Sequence, residues 1–256
     1  SNWDTSRVKS MSDMFAGCKK FNQPIGNWNT KTVTAMLNMF YGATSFNQPI
    51  GDWDTSRVDN ISNMFESAES FNQNINNWDV SNVFNMLATF KDATSFNQPL
   101  DKWKINGWAR MFSLFENAKS FNQNLSTWTV SGSLTSLFKG CESFNSPLNW
   151  DCSKVYSMKS LFEGATSFNQ DISGWNISSL SDAQNMFYGA SSFNAPIGKW
   201  NVKSFTNMQN MFREAKAFNQ DISTWDVSNV TKMTGLFQDA SSFNQNIRNW
   251  KLNEKL

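Results

Sequence analysis

The sequence predicts an α/β repeat solenoid of about ten 25-residue coils, each a short strand plus a short helix. Three observations predict it. Trp recurs at 3, 28, 53, 78, 103, 128, 150, 175, 200, 225 and 250, a 25-residue step broken by one 22-residue step. A Phe-Asn pair follows 18 residues after Trp in every full-length repeat, from Phe21-Asn22 to Phe243-Asn244, and the shortened repeat still supplies Phe144-Asn145. Another Phe lies six residues before each of these (Phe15, Phe40, Phe65 and onward), with only Ala or Cys midway between the two rings. A small residue enclosed by two rings reads as close interior packing.

Each element then follows from its spacing. Val8, Met11, Phe15 and Cys18 form the i, i+3, i+7, i+10 stripe of a short amphipathic helix, so one edge of every repeat is expected to be helical. Ile25-x-x-Trp28-x-Thr30 recurs as Ile75-x-x-Trp78-x-Val80 and Ile222-x-x-Trp225-x-Val227. This resembles the L-x-x-L-x-L strand of leucine-rich repeats and places a short strand on the opposite edge. Pro24, Pro49, Pro99, Pro147 and Pro196 all stand just after Phe-Asn-x, where a fixed φ and a missing N–H suit an extended lead into that strand. The chain reads as one domain over 1–256, with irregular repeats at 104–150 and a polar cap at 250–256.

The uniform Asn needs no active site. Asn22, Asn47, Asn72, Asn97, Asn122, Asn145, Asn169, Asn194, Asn219 and Asn244 are expected to be buried and to form a structural ladder. Each amide would satisfy backbone groups at a turn and bond to its copy in the next coil. Trp lies in phase with Ile and Thr/Val, which assigns it to the core. Burying about 200 Å² per Trp at about 25 cal/mol per Å² gives an upper bound of about 5 kcal/mol per coil. Cys18 and Cys141 occupy the small Ala position and Cys152 the Thr/Val position, so all three read as small buried thiols rather than a disulfide or zinc framework.

Composition excludes several functions. A net charge of +1 over 256 residues supplies no field to recruit nucleic acid or an anionic membrane. No run of apolar residues is long enough for a membrane span. The absence of His removes Ser-His, Cys-His and His-metal chemistry, so no enzyme activity and no cofactor are expected. The remaining acidic alternative is the residue after Trp, where Asp54 and Asp79 fall one coil apart. Two carboxylates that close either raise one pKa or hold a cation, which makes them a weak metal or polysaccharide-cleaving pair. The plainer reading is that each Asp caps the turn into the following helix. The chain opens inside a repeat, at Ser1, which suggests an excised or mature segment.

The unit W-D-[TV]-S-x-V-x-x-M-x-x-M-F-x-x-A-x-x-F-N-Q-x-I resembles the BspA-type leucine-rich-like repeat of bacterial and protist surface proteins. Trp28-Asn29-Thr30, Met39-Phe40 and Phe46-Asn47-Gln48 carry the resemblance, which covers essentially the whole chain. It implies an extracellular or cell-surface module used for adhesion or partner binding, with no catalytic residues to transfer. Departures cluster in the middle, where Trp108 replaces Val and the 128–150 repeat is three residues short.

Specificity on such a frame is expected where exposed residues vary. Phe84 and Tyr156 occupy a position filled elsewhere by Lys9, Thr34 or Asp59, and Leu87 and Phe112 one filled by Ser12 or Ser62. With Trp108 they form the candidate binding set. The expected function is adhesion to, or binding of, a protein or glycan on a surface. The alternatives are self-association into an extracellular filament or coat, and a carbohydrate-binding or polysaccharide-acting solenoid.

Overall fold

The computed structural model describes residues 3–256 and divides into two compact units, Ser1–Thr129 and Val130–Leu256. Neither unit contains a helix among the described residues. The only strands there are β1 (Gly132–Ser133) and β2 (Val155–Ser157), which pair in parallel within the second unit. The expected leucine-rich-like coil of strand plus helix is therefore incorrect. Each unit is instead a stack of coils made from turns.

The reason lies in how the backbone N–H groups are divided. Around Phe15, the amides of Met14, Ala16 and Cys18 donate three residues back, to Met11, Asp13 and Phe15. The alternate amides of Met11, Asp13, Phe15 and Gly17 donate across to Ala35, Leu37, Met39 and Tyr41 of the next coil, at 2.6–3.0 Å. An α-helix would direct every one of these amides four residues back along its own chain. The departure is forced by residues with positive φ on either side of each Phe. Asp13, Asn38, Asn63, Asn185 and Asn210 stand two residues before it, and Gly17, Gly42, Asp92 and Asn117 two residues after. A left-handed residue every fourth position cannot be accommodated in a right-handed helix. Asn, Asp and Gly are the types that adopt this conformation most readily.

The expected strand is also a turn. Trp28 N–H donates to Ile25 C=O at 3.1 Å, and the same bond recurs at Trp53, Trp78 and Trp175. The small polar pairs before each Trp, such as Gly26-Asn27 and Asn76-Asn77, are turn formers rather than strand residues. Two local designs close this turn. In one, Pro49 is followed by Ile50 and Gly51. A side chain at the matching Gly26 would meet the Pro49 carbonyl at 2.5 Å. In the other, Asn74 or Asp171 accepts the N–H of Asn76 or Ser173 through its side chain. The strand-like part of the coil-to-coil pairing lies between Val8 and Met11. It forms parallel bridges Ser10–Ala35–Asn60–Asn85–Arg110 in the first unit and Ser157–Asp182–Asn207–Lys232 in the second.

Inside each unit three rows of rings run from coil to coil. Phe40 stacks on Phe46 at 3.9 Å within its coil and on Phe65 at 5.6 Å in the next. Trp53 stacks on Trp78 at 6.3 Å. Ala43 and Ala68, midway between the Phe pairs, are fully buried, as is Cys141 at the same position, because only a small side chain fits there. The polar tip of each buried indole is satisfied, since Trp53, Trp78 and Trp103 Nε1–H donate to the carbonyls of Ile25, Ile50 and Ile75. Cys141 and Cys152 are buried, but Cys18 is exposed, contrary to its expected burial. All three are thiols, and burial pushes Cys152 up to about 12, which leaves it unreactive.

The Asn row differs from expectation in depth. Its members are half-buried or exposed rather than interior. The side-chain oxygens of Asn22, Asn47, Asn72 and Asn97 accept the backbone N–H of Asn47, Asn72, Asn97 and Asn122 at 2.9–3.0 Å. The amide of the following Gln, as in Gln73 to Asn47, reaches the same oxygen. In the second unit Asn145, Asn169, Asn194 and Asn219 repeat the arrangement up to Asn244.

Two substitutions test this backbone. Gly42 has φ +65°, and a Cβ there would approach nothing closer than Gly17 Cα at 3.9 Å, so Gly42→Ala isolates the conformational cost. It should lower urea stability by about 1–2 kcal/mol. Ala88 holds φ +50° without glycine's freedom, and Ala88→Asn should move the urea midpoint upward. Shifts of the same sign in both variants would refute the assignment.

Candidate functional site

The most exposed large apolar side chain is Trp108, and its position arises from one change in the coil. Trp108 is 87% exposed, whereas Val33, Val58 and Val83, at the same repeat position, are buried. In ordinary coils the residue after Trp accepts the N–H two residues on, as Asp54 does from Ser56. Lys104 stands at that position after Trp103 and has no acceptor. The turn re-forms two residues later, where Asn106 Oδ1 accepts Trp108 N–H at 3.1 Å. Ala109 N–H, not that of Trp108, then closes the backbone turn onto Asn106 C=O at 2.8 Å. The one-residue shift turns Trp108 out of the core. The second unit contains an independent instance. There Lys251 follows Trp250, Asn253 Oδ1 accepts Lys255 N–H, and Leu256 N–H closes onto Asn253 C=O.

Three further candidates lie on the coil carrying Trp108 and its neighbour. Arg110 N–H donates to Phe84 C=O and Ala88 N–H to Phe112 C=O, both at 2.9 Å. Phe84 is thereby paired beside residues 109–110 and Leu87 beside Phe112. Phe84 and Phe112 are 50% and 37% exposed, while Leu87 is half-buried. Tyr156 is exposed on β2 in the second unit, where Gly132 faces its ring. The sequence drew attention to Trp108 as out of pattern. It did not identify Lys104 and Asn106 as the cause, although the recurrence of Lys and Asn at 251 and 253 carries the same signal.

Asp54 and Asp79 do not behave as a reactive pair. Each carboxylate accepts both the N–H and the Oγ–H of the serine two residues on, at 3.0 and 2.6 Å. These hydrogen bonds, side chain first and then backbone, hold both carboxyls below the usual carboxylate range. For Asp79 the repulsion from Asp54 is the smallest influence acting on it. The expected raised pKa is absent, and the turn being capped leads to no helix. Asn29, Asn176 and Asn201 make the same backbone bond without a charge. Asp79 lines a groove of 460 Å³ with Asn76, Asn77, Lys102 and Lys104. In the second unit a polar groove of 590 Å³ lies between Asn149–Asp151 and Asp171–Asn176. Among the described residues no three His, Cys, Asp or Glu side chains converge as a metal site. None of those residues forms a helix long and apolar enough to cross a membrane.

The repeats match the family model described as Mycoplasma protein of unknown function, DUF285, at residues 1–58, 48–136, 130–206 and 174–255. The chain belongs to the DUF285 family. Its four overlapping matches run through both units, and each spans more than two of the recurring coils. The matches show a repeat family and do not single out the BspA type. No curated protein matches the chain.

Two measurements test this geometry. In a Trp3→Phe background, which removes the other strongly exposed indole, acrylamide should quench mainly Trp108. Lys104→Asp restores the missing acceptor and should reduce that quenching, whereas unchanged quenching would exclude Lys104 as the cause of the shifted turn. The second concerns acid. Because the folded carboxyls of Asp54, Asp79, Asp171 and Asp226 titrate below their unfolded value of about 3.9, they stabilise the fold above that pH. That stability is lost as pH falls through the lower folded values. The Asp54→Asn, Asp79→Asn double variant should lose less urea stability on acidification than the parent, and identical acid profiles would contradict the assignment.

Proposed function

We propose that this DUF285 chain is a non-catalytic repeat module of BspA type that works at the cell surface or outside the cell. It binds a protein or glycan partner through Phe84, Leu87, Trp108 and Phe112 of the first unit. The observation that carries this reading is the exposure of Trp108 at the repeat position where Val33, Val58 and Val83 are buried. An aromatic side chain turned into solvent next to further exposed rings is the composition of an interaction hot spot. The absence of His and the engagement of Asp54 and Asp79 by their own serines support a binding role over a hydrolytic one. The surface location rests on the resemblance of the W-D-[TV]-S and F-N-Q motifs.

The test is an array of glycans and extracellular proteins probed with the purified chain, followed by affinity measurement on any hit. Truncating a central aromatic should cost about 2 kcal/mol or more, so Trp108→Ser or Phe84→Ser should weaken binding by more than about tenfold. A ligand bound equally well by both variants would place recognition elsewhere.

A further inference from the structure

We propose that Asn106 is a site of spontaneous intramolecular deamidation, for which residues 106–108 supply the electrophile, the nucleophile and the activating hydrogen bond. Asn106-Gly107 is the one Asn-Gly pair in the chain. The side-chain carbonyl of Asn106 accepts the Trp108 N–H at 3.1 Å. A donor fixed on that oxygen polarises Cγ and stabilises the oxyanion that forms when a nucleophile adds there. The nucleophile is the backbone nitrogen of Gly107. A Cβ built on Gly107 would meet nothing within 4 Å, so the space beside the attacking residue's Cα is open.

Other coils make the same side-chain turn and lack this reactivity for a steric reason. Asn74, Asn124, Asn176 and Asn246 each accept the N–H two residues on, but Ile75, Leu125, Ile177 and Ile247 follow them. A large side chain on the attacking residue obstructs approach of its nitrogen, and branched chains also restrict the backbone. Asn253 occupies the equivalent shifted turn with Glu254 after it. The chain thus contains its own controls, and only position 106 combines the activated amide with glycine.

In the reaction Gly107 nitrogen gives up its proton to solvent and forms a bond to Asn106 Cγ. The Cγ–Nδ2 bond breaks, and ammonia leaves after taking a proton from solvent. Water then opens the five-membered imide at either carbonyl, giving aspartate or isoaspartate at position 106. Nothing is oxidised or reduced, and water is the only co-reactant. Aspartate places a negative charge between Lys104 and Arg110 in the chain. Isoaspartate adds one carbon to the main chain immediately before Gly107 and so displaces Trp108. The effect on binding rests on the function proposed above, whereas the modification does not.

The test is to hold the full chain, folded, in mildly alkaline buffer and follow its tryptic peptides by mass spectrometry. The 105–110 peptide should gain the mass difference between water and ammonia and split into two chromatographic forms, ahead of every peptide containing Asn74, Asn124, Asn176 or Asn253. Gly107 is not in the left-handed region, so Gly107→Ala should fold normally and slow conversion several-fold. Conversion at 106 no faster than at the other turn asparagines, or unaffected by Gly107→Ala, would overturn the proposal. Rapid conversion with unchanged ligand affinity would uphold the modification and count against the binding surface, so the two failures are distinguishable.

Discussion

Everything in this protein depends on the division of backbone N–H groups between a coil's own turns and the coil beside it. Around each Phe, alternate amides bond three residues back and the rest cross to the neighbour. Neither set would be sufficient alone, because a buried amide without an acceptor costs more than a hydrogen bond contributes. The crossing bonds fix the register, and with it the superposition of like residues. The Phe and Trp rows, the Asn row and the bridges from Ser10 to Arg110 are all consequences of that one register.

That register also explains which parts of the fold were legible in the sequence. The period, the interior rings and the restriction of the space between them to Ala or Cys could be read directly, because packing acts on residue type. The conformation of the coil could not be read from apolar spacing. Met11, Phe15 and Cys18 follow a helical stripe because consecutive three-residue turns also present every third or fourth residue to one side. The discriminating signal was polar. Asp13, Asn38 and Asn63 stand four residues before Gly17, Gly42 and Ser67, a repeated pair of left-handed positions that no helix interior tolerates. Ala88 and Glu214 obscure it, being ordinary helix formers held at positive φ. The Trp turn was misread similarly, since Ile-x-x-Trp matched a strand motif while the pair between them named a turn.

The candidate site follows from a single failure of the same local rule. Most coils leave Trp through a turn closed by Asp or Asn, and Lys104 removes the acceptor. Asn106 then takes over two positions later, and the side chain that would have filled the Val row is carried into solvent. Sequence periodicity located the irregular coil through Trp108 itself. The mechanism required knowing which atom accepts which hydrogen bond, and that information lies in the pairing of Lys104 with Asn106 rather than in either residue. The acidic pair Asp54 and Asp79 illustrates the converse. Their regular recurrence suggested chemistry, yet each carboxylate is engaged by its own serine.

The shortened coil has a consequence for how such a chain can change in length. Between Trp128 and Trp150 two residues are missing ahead of Phe138 and one after Phe144, while the six-residue step between the two rings is kept. Leu134, Ser136 and Phe138 still donate to Ser157, Lys159 and Leu161 at 2.9–3.0 Å. Deletions are therefore absorbed in the segments that flank the paired amides, and excluded from the segment that contains them. A lineage of such genes can gain or lose whole units, or trim the loops between them, without renegotiating any neighbour. A single-codon insertion between Leu134 and Phe138 would instead break the alternation of the crossing bonds in that coil.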